Sequence, residues 1–495
     1  MRLRSLALLL VVLGLAPLAH AADDAVYKTP PTVVADLLTA PRVPRGAPNA
    51  SPDGAWLAVS DLRSLIPIAT LAEPVVKLAG LEVLPGMWAN RSGLKNAAAG
   101  LSFYRVSDGS QVRAKLPEGV QVGLVRWSSK GDRVAVQTFA TGGGELWIVT
   151  AATGAARRLD GVRLHGVSNV LEWSNDDRAL FVSLVVDGEV RRDGSRVPAG
   201  PAVRRSAGRA TPQRTARDVL RTPEDQVQFA TTVTAQLAWV GTEDGAVRPV
   251  GAPVALAGVD LSPDEKSVVV RRFTLPAPLG FPAFLFPRKV ELWPLDKGAP
   301  IALGDVPLND RSAVASVAPL GPREFTYAPD GRSLWFVAWE DTPGASPQAA
   351  VRDTALPPPG RDRILRLDAP FTGAPVEVAR GTFPVDGLLF SWDGTRLIVV
   401  EGYEPRRVER QWWLDVREPA TRGVLVSRST EGVYDAPGTI ALRGGRHDVR
   451  AWTTADGKAF YRIGEGYRAD GQRPFLDRCA FDGSRTARLF ESEAS

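Results

Sequence analysis

Seven times along this chain a short polar turn, usually carrying Asp-Gly, runs straight into a stretch of aliphatic, β-branched and aromatic residues. The copies are SPDGAWLAV from Ser51, SSKGDRVAV from Ser128, SNDDRALFV from Ser174, SPDEKSVVV from Ser262, APDGRSLWF from Ala328, SWDGTRLIV from Ser391 and TADGKAFYR from Thr454. A second unit follows each copy in strict alternation, reading strand, acidic or Gly-bearing turn, strand; examples are SFYRVSDGSQVRAKL from Ser102, ELWIVTAATGAARRL from Glu145 and WWLDVREPATRGVLV from Trp412. Asp-Gly supplies the positive φ that tight hairpins need, and the flanking residues suit pleated strands. Each pair of units therefore encodes about four antiparallel strands.

One such sheet cannot bury its faces alone, whereas several arranged radially can. The expected fold is all-β, a seven-bladed β-propeller. A large β-sandwich with many hairpins is the competing architecture, and seven ordered copies of a two-part unit argue against it. The Gly-His and Trp-Asp marks of the WD40 class are missing. Trp127, Trp147, Trp173, Trp293, Trp335 and Trp392 stand beside the turns, where packing between blades is the expected role.

Uneven spacing between copies marks insertions at about 63–100 and 187–236. The second is rich in Pro and Gly, then helical in TARDVLRTPEDQ, with Thr215 as cap and Pro223 expected to stop the helix. Ahead of the repeats, Arg2 and Arg4 precede an apolar run from Leu6 to Leu18 and an Ala19-His20-Ala21 cleavage pattern. That is a secretory signal, and the run is shorter than the ~20 residues a membrane-spanning anchor needs. The expected organisation is a signal peptide at 1–21, a lead-in segment at 22–50 and the propeller at 51–495. No membrane span remains once the signal is removed.

A single cysteine, Cys479, rules out an internal disulfide, so export is expected to a bacterial periplasm or exterior without a stapled framework. The formal charge of +5 loses Arg2 and Arg4 with the signal, leaving +3. Acids intersperse the basic residues and no dense basic stripe exists, which excludes nucleic acid as a partner.

Nucleophilic hydrolysis needs a nucleophile, a base and an orienting acid. Beyond the signal only His165 and His447 remain, and no G-x-S-x-G elbow occurs. Cys479 reads as a small buried residue of the last blade. No ligand cluster has zinc or EF-hand spacing, and Gly142-Gly143-Gly144 precedes a strand, so no metal, cofactor or catalytic residue is assigned. Paired carboxylates for glycoside chemistry are absent outside the turns. One cluster carries functional weight: Arg204, Arg205, Arg209, Arg214, Arg217 and Arg221, in the long insertion. Forked guanidinium groups there suit an acidic side chain or a peptide carboxylate, with solvated loop charge as the alternative.

Several stretches resemble one family, the prolyl oligopeptidase family of serine peptidases in its glutamyl endopeptidase-like branch. They are YKTPP with VADLLTAPRVP, then SPDGAWLAV, IPIATLAEPVVKLAGLEVLP, PAGPAVRRSAGRATPQRTARDVL, EGVYDAPG and GEGYRADGQRPFLDR, spread from residue 27 to residue 478. The resemblance implies a propeller that admits peptides and excludes folded proteins. It further implies an α/β-hydrolase domain carrying a Ser-Asp-His triad, expected to be absent from this chain, and cleavage after Glu. No residue here matches the triad. The expected function is the gating and selection of peptide substrates for a missing or separate hydrolase domain. The alternative is a stand-alone, non-catalytic periplasmic propeller that binds a peptide or protein partner.

Overall fold

The computed structural model describes residues 30–40, 49–62, 65–66, 68–188, 217–296, 298–309, 321–339, 362–445 and 447–493. The signal segment and most of the lead-in lie outside these residues. Among the described residues, an N-terminal unit of residues 1–42 and 63–65 contributes the short helix Thr32–Thr39, with no buried residue. Everything below concerns the second unit, residues 43–62 and 66–495.

This unit is a propeller-like all-β fold. Five of its sheets are four-stranded and antiparallel. Sheet I holds Asn49–Ala50, Trp56–Ser60, Leu101–Arg105 and Gln111–Arg113; sheet II holds Val122–Trp127, Arg133–Thr138, Glu145–Thr150 and Ala156–Arg158. Sheet IV begins at Gly321–Tyr327, sheet V at Val385–Phe390 and sheet VI at Thr439–Ile440. Sheet III is seven-stranded, from Leu171–Trp173 to Ile301–Val306. Its middle strand, Val247–Leu261, pairs over residues 247–255 with Thr234–Gly241 and over residues 256–261 with Ser267–Phe273. Two repeats of the sequence are thus fused through one continuous strand.

The seven turns fold alike. In each, the N–H of the first residue (Ser51, Ser128, Ser174, Ser262, Ala328, Ser391, Thr454) donates to the carbonyl five residues on, at 2.8–2.9 Å. The Asp carboxylates of Asp53, Asp176, Asp264, Asp330, Asp393 and Asp456 accept from the backbone N–H two residues later, which is why Asp recurs. The fourth residue has positive φ: Gly54, Gly131, Gly331, Gly394 and Gly457, but Asp177 and Glu265 in sheet III. Neighbouring turns touch in sequence order. A β-carbon at Gly131 would strike Asp53, one at Gly331 would strike Asp264, and one at Gly457 would strike Asp393. Where glycine is replaced, the side chain reaches back instead. Asp177 accepts from the N–H groups of Ser129 and Lys130 at 2.7 and 3.2 Å, and Glu265 from that of Asn175 at 2.5 Å.

Strand alternation stacks the sheets. Val134 and Val136 pack toward sheet I while Ala135 packs toward sheet III; Leu397 and Val399 join sheet IV while Ile398 joins sheet VI. Successive side chains point to opposite faces, and both faces are covered. Trp127 and Trp173 tie neighbouring edges, their Nε1–H groups donating to the carbonyls of Asn49 and Arg126 at 3.0 and 2.8 Å.

The described parts of the two insertions meet in one satellite core. Val76, Leu78, Ala79 and Trp88 pack with Leu220, Phe229, Val233, Ala283 and Phe286. The helix of the second insertion is Pro223–Val233, so Pro223 starts the helix that it was expected to stop. Thr222 caps it, in a reciprocal capping box with Asp225, and Pro at the first helical position loses no hydrogen bond. The described residues ahead of it, 217–221, are not helical, and Thr215 lies outside the described residues.

Candidate functional site

A cavity of about 650 Å³ lies against the first strands of successive repeats. Arg126 comes from Val122–Trp127, Glu172 from Leu171–Trp173 and Asp260 from Val247–Leu261. Each stands two residues ahead of its turn. Arg271 and Arg288 complete the charged lining, the His447 imidazole stands beside them, and Leu81, Val170, Phe181, Val233, Leu256 and Phe273 supply apolar wall.

His447 arrives from far along the chain. The first edge of sheet VI is interrupted between Thr439–Ile440, which pairs with residues 462–463, and Thr453, which bridges Phe460. Between these points a hairpin projects, with Leu442–Gly444 paired to Val449–Ala451. Arg443 and Arg450 lie over the Trp392 ring at 4.2 and 5.5 Å and anchor its base. At the tip His447 has φ 60°, and its side chain is only 4% exposed. Its Nε2 meets Glu265 Oε1 at 3.1 Å. Glu265 thus joins a turn of sheet III to the hairpin of sheet VI.

The charges are nearly matched. Arg271 forks onto Asp260, Nη1 to Oδ2 at 2.5 Å and Nη2 to Oδ1 at 3.3 Å. Gly258 leaves room for that fork, since a β-carbon there would come within 2.9 Å of Arg271 Nη2. Arg126 Nε stands 3.6 Å from Glu172 Oε1. Burial holds the Glu172 carboxyl above its ordinary range, with Arg126 and His447 pulling it back. Arg288 is the exception: among the described residues no carboxylate pairs with it. Its Nη2 donates to the Phe284 carbonyl at 2.5 Å, its guanidinium lies 5.9 Å from the Phe273 ring centroid, and its buried Nε has no partner among the described residues. Burial, and then the charge of Arg271, lowers its pKa from the ordinary arginine value.

Of the arginines singled out from sequence, Arg204, Arg205, Arg209 and Arg214 lie outside the described residues. Arg217 and Arg221 are exposed on the approach to the helix and do not line the cavity. Cys479 is buried in the strand Phe475–Ala480, and burial raises its thiol pKa. His165 is fully buried beside Trp88, accepting from Ser168 N–H through Nδ1. Among the described residues no group of three His, Cys, Asp or Glu side chains is arranged to hold a metal, and no helix is long and apolar enough to cross a membrane. Sequence reading missed Arg126, Glu172, Asp260, Arg271 and Arg288. The available signal was a charged residue two places ahead of three consecutive turns.

No family model matches the chain. It is 27% identical over 504 residues to a probable chloroplastic glutamyl endopeptidase of Oryza sativa subsp. japonica, covering 94% of this chain and 51% of that protein. A second probable chloroplastic glutamyl endopeptidase, from Arabidopsis thaliana, is 28% identical over 501 residues, covering 94% and 50%. The chain therefore spans about half the length of the curated relatives it matches. Among solved structures, a prolyl endopeptidase is 11% identical with a TM-score of 0.44, covering 81% of this chain and 47% of that one. An acylaminoacyl peptidase of Pyrococcus horikoshii is also 11% identical, with a TM-score of 0.40 and coverage of 88% and 51%. The chain is a relative of proteins named as glutamyl endopeptidases.

Proposed function

We propose that these 495 residues are the propeller portion of an exported serine peptidase of the prolyl oligopeptidase family, glutamyl endopeptidase-like. In this reading sheets I, II, IV, V and VI and the two halves of sheet III are seven blades. The chain gates and selects peptides for a hydrolase domain outside these residues, and the arginines of the long insertion assist in recognising acidic groups. The observation that carries the reading is similarity along 94% of this chain to only half of the curated relatives. The charged cavity beside the first strands supports it as a place for a peptide.

The test uses the purified chain with short fluorogenic glutamyl peptides, a folded protein of ordinary size and a serine-directed fluorophosphonate. The expected result is binding of the short peptides, none of the folded protein, no hydrolysis and no covalent labelling. A labelled serine together with hydrolysis would overturn the division of labour. Failure to bind any peptide would remove the selective role.

A further inference from the structure

We infer that the hairpin of Leu442–Gly444 and Val449–Ala451 is a releasable cross-tie: rooted in sheet VI and latched at its tip to sheet III, it holds the last sheet in position where no pairing or shared core with sheet I does so. The inference stands whatever occupies the cavity.

The repeats supply their own comparison. In the strand after each turn, the seventh and ninth residues of the repeat pack toward the preceding sheet and the eighth toward the following one. The seventh and ninth residues are at most 3% exposed in every repeat from the second, with Val134 and Val136, to the seventh, with Phe460 and Arg462. Leu57 and Val59 of the first repeat are only half-buried. The eighth residue is at most 5% exposed from Ala58 of the first repeat to Ile398 of the sixth, but Tyr461 of the seventh is half-buried, and Ile463 on the same face is 54% exposed. Phe490, reached from Ile463 through their shared partner Leu476, is 59% exposed. The turns agree: a β-carbon at Gly131, Gly331, Gly394 or Gly457 would meet the preceding turn, whereas one at Gly54 would meet nothing within 4 Å. Among the described residues no strand pairing or backbone hydrogen bond joins sheet VI to sheet I, and no apolar cluster contains members of both.

Sheet VI thus has one packed neighbour, sheet V, and the hairpin supplies a second attachment. Its root is fixed. Ala441 N–H donates to the Tyr461 carbonyl and Trp452 N–H to that of Ala441, both at 2.8 Å, and Tyr461 N–H donates to the Trp452 carbonyl at 3.1 Å. Along the arm, Leu442 and Val449 are exposed, and a β-carbon at Gly444 would meet nothing within 4 Å. The tip differs, since the His447 side chain is buried and ends on Glu265.

The latch works without a charge on the imidazole. Glu265 Oε1 already accepts from Asn175 N–H and faces His447 Nε2; the Nε2–H it takes is present in one neutral tautomer as well as in the protonated ring. Among the described residues no backbone hydrogen bond joins the arm to sheet III. A single side-chain bond at the end of such an arm biases its position and yields to local opening. Release leaves the ladders of sheet VI intact, because the hairpin pairs only with itself. What is lost is the fixed spacing between sheets VI and I.

The experiment reads that spacing with pairs of spin labels on the full chain carrying Cys479→Ser. Pro52→Cys with Ala455→Cys labels exposed turn residues of sheets I and VI, and Pro52→Cys with Lys130→Cys labels the packed joint between sheets I and II. Glu265→Ala is expected to lengthen and broaden the first distance distribution and to leave the second unchanged. Glu265→Gln, which keeps an acceptor for both N–H groups, is expected to preserve both. Should the labelled chains fold poorly, or Glu265→Ala disturb its own turn, His447→Phe fills the tip without a donor and is read by hydroxyl-radical footprinting. Oxidation of Leu57, Val59 and Tyr461 should then rise by at least about twofold while that of Val134 and Val136 does not. An unchanged spacing in Glu265→Ala, equal effects of Glu265→Ala and Glu265→Gln, or unchanged footprinting in His447→Phe overturns the inference.

Discussion

Lowering the pH from 8 to 5 is expected to destabilise this protein through His165, by an amount the structure sets. The imidazole is fully buried at the seam where the first insertion meets sheet III: its ring lies 5.8 Å from that of Trp88, and Gly166 N–H donates to the Trp88 carbonyl. Burial drives its pKa down from 6.5 to about 4. The unfolded chain therefore binds a proton near pH 6.5 that the folded chain refuses until about pH 4. Stability present above pH 6.5 is lost as the pH falls through that window, and the loss is complete below the folded value. Linkage gives a loss of about 2 kcal/mol at pH 5 and about 3 kcal/mol at the acid limit. The assay is urea unfolding at pH 8 and pH 5 for the native chain and for His165→Asn. The variant loses a hydrogen-bond partner for Ser168 at both pH values, so only the difference between the two pH values is read. That difference should be smaller in the variant by about 2 kcal/mol. Equal pH dependence in the two proteins would refute the reasoning.

Two further outcomes follow from the turns and caps. Glu265→Ala removes the acceptor shared by Asn175 N–H and His447; the hairpin tip should open and His447 should react with diethylpyrocarbonate at least about tenfold faster, read by peptide mass spectrometry, at a stability cost of about 1–3 kcal/mol. Unchanged protection of His447 would show that the hairpin holds without the latch. Thr222→Ala should cost about 0.5–2 kcal/mol by urea unfolding, since Thr222 closes the capping box, whereas Pro223→Ala should be nearly neutral because Pro occupies a position that needs no N–H donor.

The repeats were legible because each carries its geometry locally. Asp two residues into the turn and a positive-φ residue next to it are short-range requirements, and all seven motifs close the same backbone hydrogen bond. Pro223 misled because the same residue both ends and begins helices, and only the cap at Thr222, itself local but overlooked, separates the two. The cavity was harder to see. Arg126 and Arg288 are unremarkable in their own strands, and the pairing of Glu265 with His447 spans 182 residues. Stacking of separate sheets creates that proximity, and no local pattern encodes it.

The strand Val247–Leu261 couples two repeats mechanically. Here the connection between two repeats is itself a strand, hydrogen-bonded to one neighbour over residues 247–255 and to the other over residues 256–261. A displacement of one repeat against the other is therefore carried straight into both ladders. A single cut in this strand would likewise damage the pairing of both repeats, and the cavity wall bearing Asp260 and Gly258 sits on this splice.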